Sequence, residues 1–320
     1  MSQINQFNQP LVKLGQQLTR PECVLTNAFG DVFVSDFRGG VSRIAANGEQ
    51  SYWGGAHPEF GPLQTNGFAM LADGSFLIAH LGAEQGGVFR LTRDNAIYDW
   101  LLEVDGVALP PTNFVYLDHQ GRIWITVSTR TQPRADAYRK SCDDGFIVLV
   151  DEQGARIVAD GLGYTNELWV NPEGTELYVN ATFSRELIKY QIVDNQLRRA
   201  QVITQFSAAT FPDGLTMDIS GNLWVTSIVS NRVIRVSPNG EQQIWLEDSD
   251  DEHLRWVEQA FQDDVMGRPH LDGNPAKQLH NISSLAFAKD GILLGCLLGN
   301  SITKIKTDVT GIKPAHWRFK

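Results

Sequence analysis

Cysteine is scarce in this chain. Cys23, Cys142 and Cys296 are the only three in 320 residues, and they lie far apart. With no CxxC and an odd count, neither a disulfide framework nor a cysteine-based zinc site is indicated, and reduced structural thiols are expected. No apolar run approaches the ~20 residues that a membrane-spanning helix needs. The opening MSQINQFNQPLVKLGQQ lacks the apolar core of a secretory leader, so a cytoplasmic, membrane-free protein is expected. Without a secretory route, the sequons at Asn180 and Asn281 carry no meaning. Basic residues are also in deficit: 27 against 37 acidic ones gives a net charge of −10, which argues against nucleic acid as a partner. No GxSxG elbow and no HExxH is present, and the 7 histidines form no pair with metal-ligand spacing. The glycine pairs lack the strand–helix setting of a nucleotide fold.

What the chain does have is a repeat. Six segments place a polar residue eight positions before a glycine: Glu22 with Gly30, Asn66 with Gly74, Asn113 with Gly121, Asn166 with Gly174, Asp213 with Gly221, and Ser283 with Gly291. Between and after them run short Val-, Ile- and aromatic-rich stretches such as DVFVSDF, RIWITVS, ELYVNAT and NLWVTSI, punctuated by turn residues. Six units of about four short strands predict an all-β fold, a six-bladed β-propeller. A single domain over 1–320 is expected, with blades over about 20–310. A pair of β-sandwiches would not explain the fixed spacing. Two insertions interrupt the rhythm, at 128–145 and 247–280. Leu254, Val257 and Phe261 in the second have helical spacing after an acidic first turn.

Equivalent positions of a propeller's inner strands converge on its axis. The repeated polar position reads Glu, Asn, Asn, Asn, Asp, Ser, a ring of oxygen donors with two carboxylates. Unpaired carboxylates aimed at one axis repel, and a hard divalent cation resolves the repulsion. Oxygen donors without His or Cys favour calcium or magnesium over structural zinc. The alternative is that these residues only mark strand starts, as Asn and Asp often do.

PECVL near the start, TN ahead of a glycine turn, and PDG-xxx-D-xx-G-x-LWV over 212–225 resemble the senescence-marker-protein/gluconolactonase/luciferin-regenerating enzyme family along nearly the whole chain. The resemblance implies a propeller holding one catalytic divalent cation in its channel. Calcium is expected first, with zinc, magnesium or manganese as alternatives. It implies Glu22, Asn166 and Asp213 as metal ligands, Asp213 also as general base, and Asn113 as the residue holding substrate or water at the ion. The more distant diisopropylfluorophosphatase and paraoxonase propellers would make Asn113 a ligand too.

The chain departs from the family pattern at three positions. Pro111 and Phe114 stand where sugar-lactone members commonly carry Arg and Asp, and Glu167 follows Asn166 where Gly is usual. Substrate contacts are therefore expected from Asn113, Asn66, Glu167 and Arg130, with Arg134 and Arg139 as further cations on the first insertion. A more apolar site than that of a sugar lactonase is expected. The resulting function is metal-dependent hydrolysis of a small lactone or related ester. A phosphotriesterase-like hydrolase, or a non-catalytic binding propeller with a structural cation, remains open.

Overall fold

The computed structural model describes residues 11–319. Its strands form six four-stranded antiparallel sheets, the six-bladed β-propeller that the repeat spacing predicts. The inner strands of blades one to six are Val24–Thr26, Thr65–Met70, Phe114–Leu117, Thr165–Val170, Phe211–Met217 and Ile282–Ala288. From each the chain steps outward by hairpins. Inner and second strands are buried nearly throughout because blades pack face against face, whereas the outermost strands alternate or lie exposed. Trp124 and Trp224 are fully buried between sheets. Their indole N–H groups donate to Asp118 and Asp218, at 2.8 and 2.9 Å, and the same carboxylates accept backbone N–H groups of the preceding hairpin turn.

Five of the six repeat glycines adopt φ between +70° and +89°, the left-handed conformation their turns require. Gly291 does not. It begins a strand, and a Cβ there would lie 2.4 Å from the Ile305 carbonyl.

Blade six is completed from the other end of the chain. Val12–Leu14 pairs antiparallel with Ile302–Ile305 as its outermost strand. Sequence reading gave this stretch no structural role, because three mostly exposed residues carry no period to detect. Residues 1–10, the first part of the stretch examined for a leader, lie outside the described residues. Among the described residues no helix is long and apolar enough to cross a membrane.

The two insertions meet. The first contains a 3-10 turn, Arg134–Ala137. The second contains α1, Asp251–Gln262, capped by the Asp250 side chain on His253 N, and α2, Arg268–Asp272. Leu254, Val257 and Phe261 are buried, as their spacing predicts, against Tyr138, Tyr164, Phe183 and Phe211. Arg139 donates to the Met266 carbonyl and so ties one insertion to the other. A partly buried ion pair, Arg185 to Glu258 at 2.6 Å, pins α1 to blade four. The opposite end of the channel is covered by the C-terminal segment: Ile312 N donates to the Met217 carbonyl at 3.0 Å, and Trp317 Nε1 to the Thr26 carbonyl at 2.6 Å.

Candidate functional site

Four of the six inner strands carry a β-bulge at the repeated polar position. Asn66-Gly67 opposes Ala79 alone, Asn166-Glu167 opposes Asn180, Asp213-Gly214 opposes Thr226, and Ser283-Ser284 opposes Gly295. A bulge leaves one residue unpaired and re-aims its side chain. At each of these bulges the chain turns two consecutive residues toward the axis. The first belongs to an upper ring, at the mouth under the insertions. The second belongs to a lower ring that includes Cys23, Phe114, Glu167 and Ser284 and lines a 70 Å³ cavity deeper in the channel.

Close approach of the blades sets the residue types. A Cβ at Gly214 would lie 2.5 Å from the Ser283 carbonyl, and one at Gly295 would lie 2.0 Å from the Glu22 carbonyl. Both glycines let neighbouring strands press together beside a ring residue.

Hydrogen bonds link the upper ring from blade to blade. Asn66 Nδ2 donates to Glu22 Oε1 at 2.8 Å and to the Asn113 carbonyl at 2.9 Å. Asn113 Nδ2 donates to Asn166 Oδ1 at 2.9 Å, and Asn166 Nδ2 to Thr182 Oγ1 at 3.1 Å. Ser283 Oγ donates to the Glu22 carbonyl at 3.0 Å. Asn180 Nδ2 holds the Asp213 carbonyl at 3.0 Å. Sequence reading did not find Thr182 or Asn180; the signal of Asn180 is only its register opposite a bulge, and Thr182 lies just past the end of the same strand.

The carboxylates are less well served. Glu22 Oε2 is buried without a hydrogen-bond partner. It lies 3.1 Å from Arg20 Nη1, an ion-pair distance without bonding geometry. Among the described residues no donor reaches the Asp213 carboxylate, although Asp213 is 3% exposed. Burial raises the pKa of Glu22. Burial, then the charges of Glu22 and Glu167, hold the Asp213 carboxyl well above its usual range. Two buried acids short of donors, beside a carboxamide oxygen with a spare lone pair on Asn166, fit a hard divalent cation. Among the described residues no three His, Cys, Asp or Glu side chains cluster, so a ligand set here must include carboxamides.

Glu22, Asn113, Asn166 and Asp213 line one cavity of 390 Å³ under the two insertions. The structure therefore brings together all of the expected ligands and Asn113. Other expected contacts fall elsewhere. Asn66 is buried within the ring, with its amide oxygen taken by Arg20 Nη1 at 2.8 Å, so it braces Glu22 and does not line the cavity. Glu167 points down the channel, accepting from Leu215 N at 3.0 Å, because the bulge turns it below Asn166. Burial pushes its carboxyl up to about 8. Arg130 is half exposed, bonded through both amino groups to Asp160 at 2.8 Å, and does not line the cavity.

Phe114 also faces the lower cavity and not the mouth. The apolar wall of the mouth comes from Phe37, Leu81, Phe183, Ile228, Leu271 and Leu297, most of them in loops where sequence gave no register. Of the insertion's arginines, Arg134 reaches the cavity, while Arg139 staples the insertions. His80 accepts from Gln64 N at 2.9 Å and packs against Phe60 and Phe89, and burial lowers its pKa to about 4. That is a structural setting. His280 is exposed and away from the cavity.

A six-bladed propeller with a buried ring of oxygen donors beneath a covered mouth defines the class of fold. Within that class, the chain belongs to the SMP-30/gluconolactonase/LRE-like family, whose region matches residues 20–246. It is 26% identical over 185 residues to a 6-deoxy-6-sulfogluconolactonase of Pseudomonas putida, a match covering 56% of this chain and 60% of that protein. Among solved structures it is similar to a gluconolactonase of Xanthomonas campestris, with TM-score 0.67 and 17% identity over 94% of this chain and 90% of the other. It is also similar to a calcium-binding regucalcin of Agrobacterium tumefaciens, with TM-score 0.66 and 15% identity over 96% and 97%. At these identities the structural likenesses speak for the fold alone.

Proposed function

We propose that this protein hydrolyses a lactone at the mouth of the central channel, with one divalent cation, calcium before zinc, magnesium or manganese, held by Glu22, Asn166 and Asp213. The observation that carries this reading is the convergence of those three side chains on one buried cavity, with the oxygens of both acids left short of donors. The 6-deoxy-6-sulfogluconolactonase relative supports the reaction class. When bound, the cation supplies Lewis-acid polarisation of the lactone carbonyl and makes water more acidic.

The residues of the chain do the rest. Asp213 stands in the cavity with no donor on its carboxylate and accepts a proton from the attacking water. The water oxygen bonds to the carbonyl carbon, the ring C–O bond breaks, and the departing ring oxygen takes up the proton as a hydroxyl. The product is the open hydroxy acid. Asn113 faces the cavity beside Asn166, with its orientation fixed by that bond, and positions the substrate. The two insertions cover the mouth and reduce the water around the reacting atoms.

The test is a panel of small lactones offered to chelator-treated protein with and without each cation, together with aryl phosphotriesters. Lactone opening that needs the cation supports the reading. Turnover of phosphotriesters alone replaces it, and tight ligand binding without any turnover points to a binding propeller.

A further inference from the structure

We propose that Arg134, carried into the cavity by the first insertion, is the anion-binding residue of the substrate site, so that the lactone opened here carries a separate acidic group: a carboxylate, sulfonate or phosphate. This rests on the lactonase reading and narrows its substrate class.

Three arginines line the cavity, and two of them are already committed. Arg20 is ion-paired with Glu22 at 3.1 Å and bonded to Asn66 Oδ1 at 2.8 Å. Arg268 forks onto Asp272, at 3.1 and 2.7 Å. Arg134 has no carboxylate partner among the described residues. Its Nη2 meets only neutral acceptors, Ser128 Oγ at 3.1 Å and Asn113 Oδ1 at a long 3.4 Å. Its Nε is buried with no partner at all. A guanidinium left this way leaves part of its fork unfilled, and a planar oxyanion satisfies such a fork in pairs.

The guanidinium lies 5.5 Å from the Tyr164 ring centroid, which holds it against the cavity wall, and its bond to Asn113 places it beside the ring. The charges agree. If Glu22 and Asp213 are neutralised by a divalent cation, the mouth keeps the positive charge of Arg20 and Arg134 with no anion of its own to balance it. The apolar lining of Phe37, Leu81, Phe183, Ile228, Leu271 and Leu297 offers nothing to sugar hydroxyls. A compact ring with one acidic substituent matches a site lined by apolar side chains together with cations.

The test uses the calcium-loaded full chain and two pairs of probes. Binding of cyclopentanecarboxylate and of neutral cyclopentanecarboxamide is measured by calorimetry. Ring opening is measured for 5-oxotetrahydrofuran-2-carboxylate and for its carboxamide. In the unsubstituted protein the acid should be preferred over the amide at least about tenfold in both assays, as a charge-assisted bond implies. Arg134→Gln should bring both ratios close to one, and Arg134→Lys should restore part of them, a rescue that a merely structural role would not give.

Equal ratios in the unsubstituted and Gln proteins overturn the proposal, as does a preference for the amides. If cyclopentanecarboxylate binds through Arg134 but neither lactone opens, the anion site stands and the lactonase reading falls. If both lactones open without charge preference, the lactonase reading stands and the anion site falls.

Discussion

Replacing Asp213 by Asn should push stability in opposite directions with and without the cation. In the cation-free protein the Asp213 carboxyl is raised well above its usual range, first by burial and then by Glu22 and Glu167. An acid whose folded pKa is raised stabilises the fold only while protonated, and that contribution is lost as pH rises through the folded value. As pH rises above the ordinary carboxyl range the group therefore works against folding, and an uncharged carboxamide of the same shape removes that cost. The cation-free Asp213→Asn protein should therefore melt higher than the cation-free parent.

With the cation the order reverses. A unit charge about 2.4 Å from a divalent ion contributes about 3 kcal/mol even at the dielectric constant of water, or two orders of magnitude in Kd. At calcium a thousand times the parent's Kd, linkage gives the parent about 4 kcal/mol and the variant, now at ten times its own Kd, about 1.4 kcal/mol. At about 2 °C per kcal/mol for a chain of this size, the calcium-induced rise in Tm should fall from about 8 °C to about 3 °C. Differential scanning calorimetry at pH 7.5, in chelator and in calcium, reads both effects. An unchanged calcium-induced rise in the variant would refute the assignment of Asp213 as a ligand.

Three further outcomes follow from the structure. Asp213→Ala should lose kcat more completely than Asn113→Ala, because Asp213 supplies charge and a proton acceptor whereas Asn113 supplies a neutral dipole; steady-state kinetics with bound metal confirmed in both variants decides this. Glu258→Ala strands the buried Arg185 guanidinium, now ion-paired at 2.6 Å, and unpins α1, so it should cost about 3 kcal/mol in urea unfolding. Buried His316, whose pKa is lowered to about 4 by burial, binds its proton more readily unfolded than folded. Its share of stability should thus be intact above pH 6.5 and fall by about 3 kcal/mol as pH drops to 4, a slope that His316→Gln should flatten in pH-dependent unfolding.

The polar-to-glycine spacing was legible because five turns need a left-handed residue at the same step of each unit, and the side chain eight positions earlier then falls at the same height on the axis. That made Glu22, Asn113, Asn166 and Asp213 readable as neighbours across nearly 200 residues of chain. The bulges were not readable. A strand of period two gives Asn166 and Glu167 opposite faces, whereas the bulge turns both inward and stacks Glu167 below, out of the mouth. Phe114 offered no guide to the pocket either, since it faces the lower cavity from a strand without a bulge. Loops gave the weakest signal: nothing in the string separates Arg130, which finds Asp160, from Arg134, which enters the cavity. That choice depends on how the insertion folds against α1 and α2. The N-terminal strand that closes blade six escaped notice because its partner, Ile302–Ile305, is almost 300 residues away.

The most direct test of the central claim is the rate of lactone ring opening as calcium is returned to chelator-stripped protein. The account predicts no turnover above the uncatalysed rate in chelator, and recovery that saturates at one ion per chain. Ring opening at an undiminished rate in the metal-free protein would contradict it.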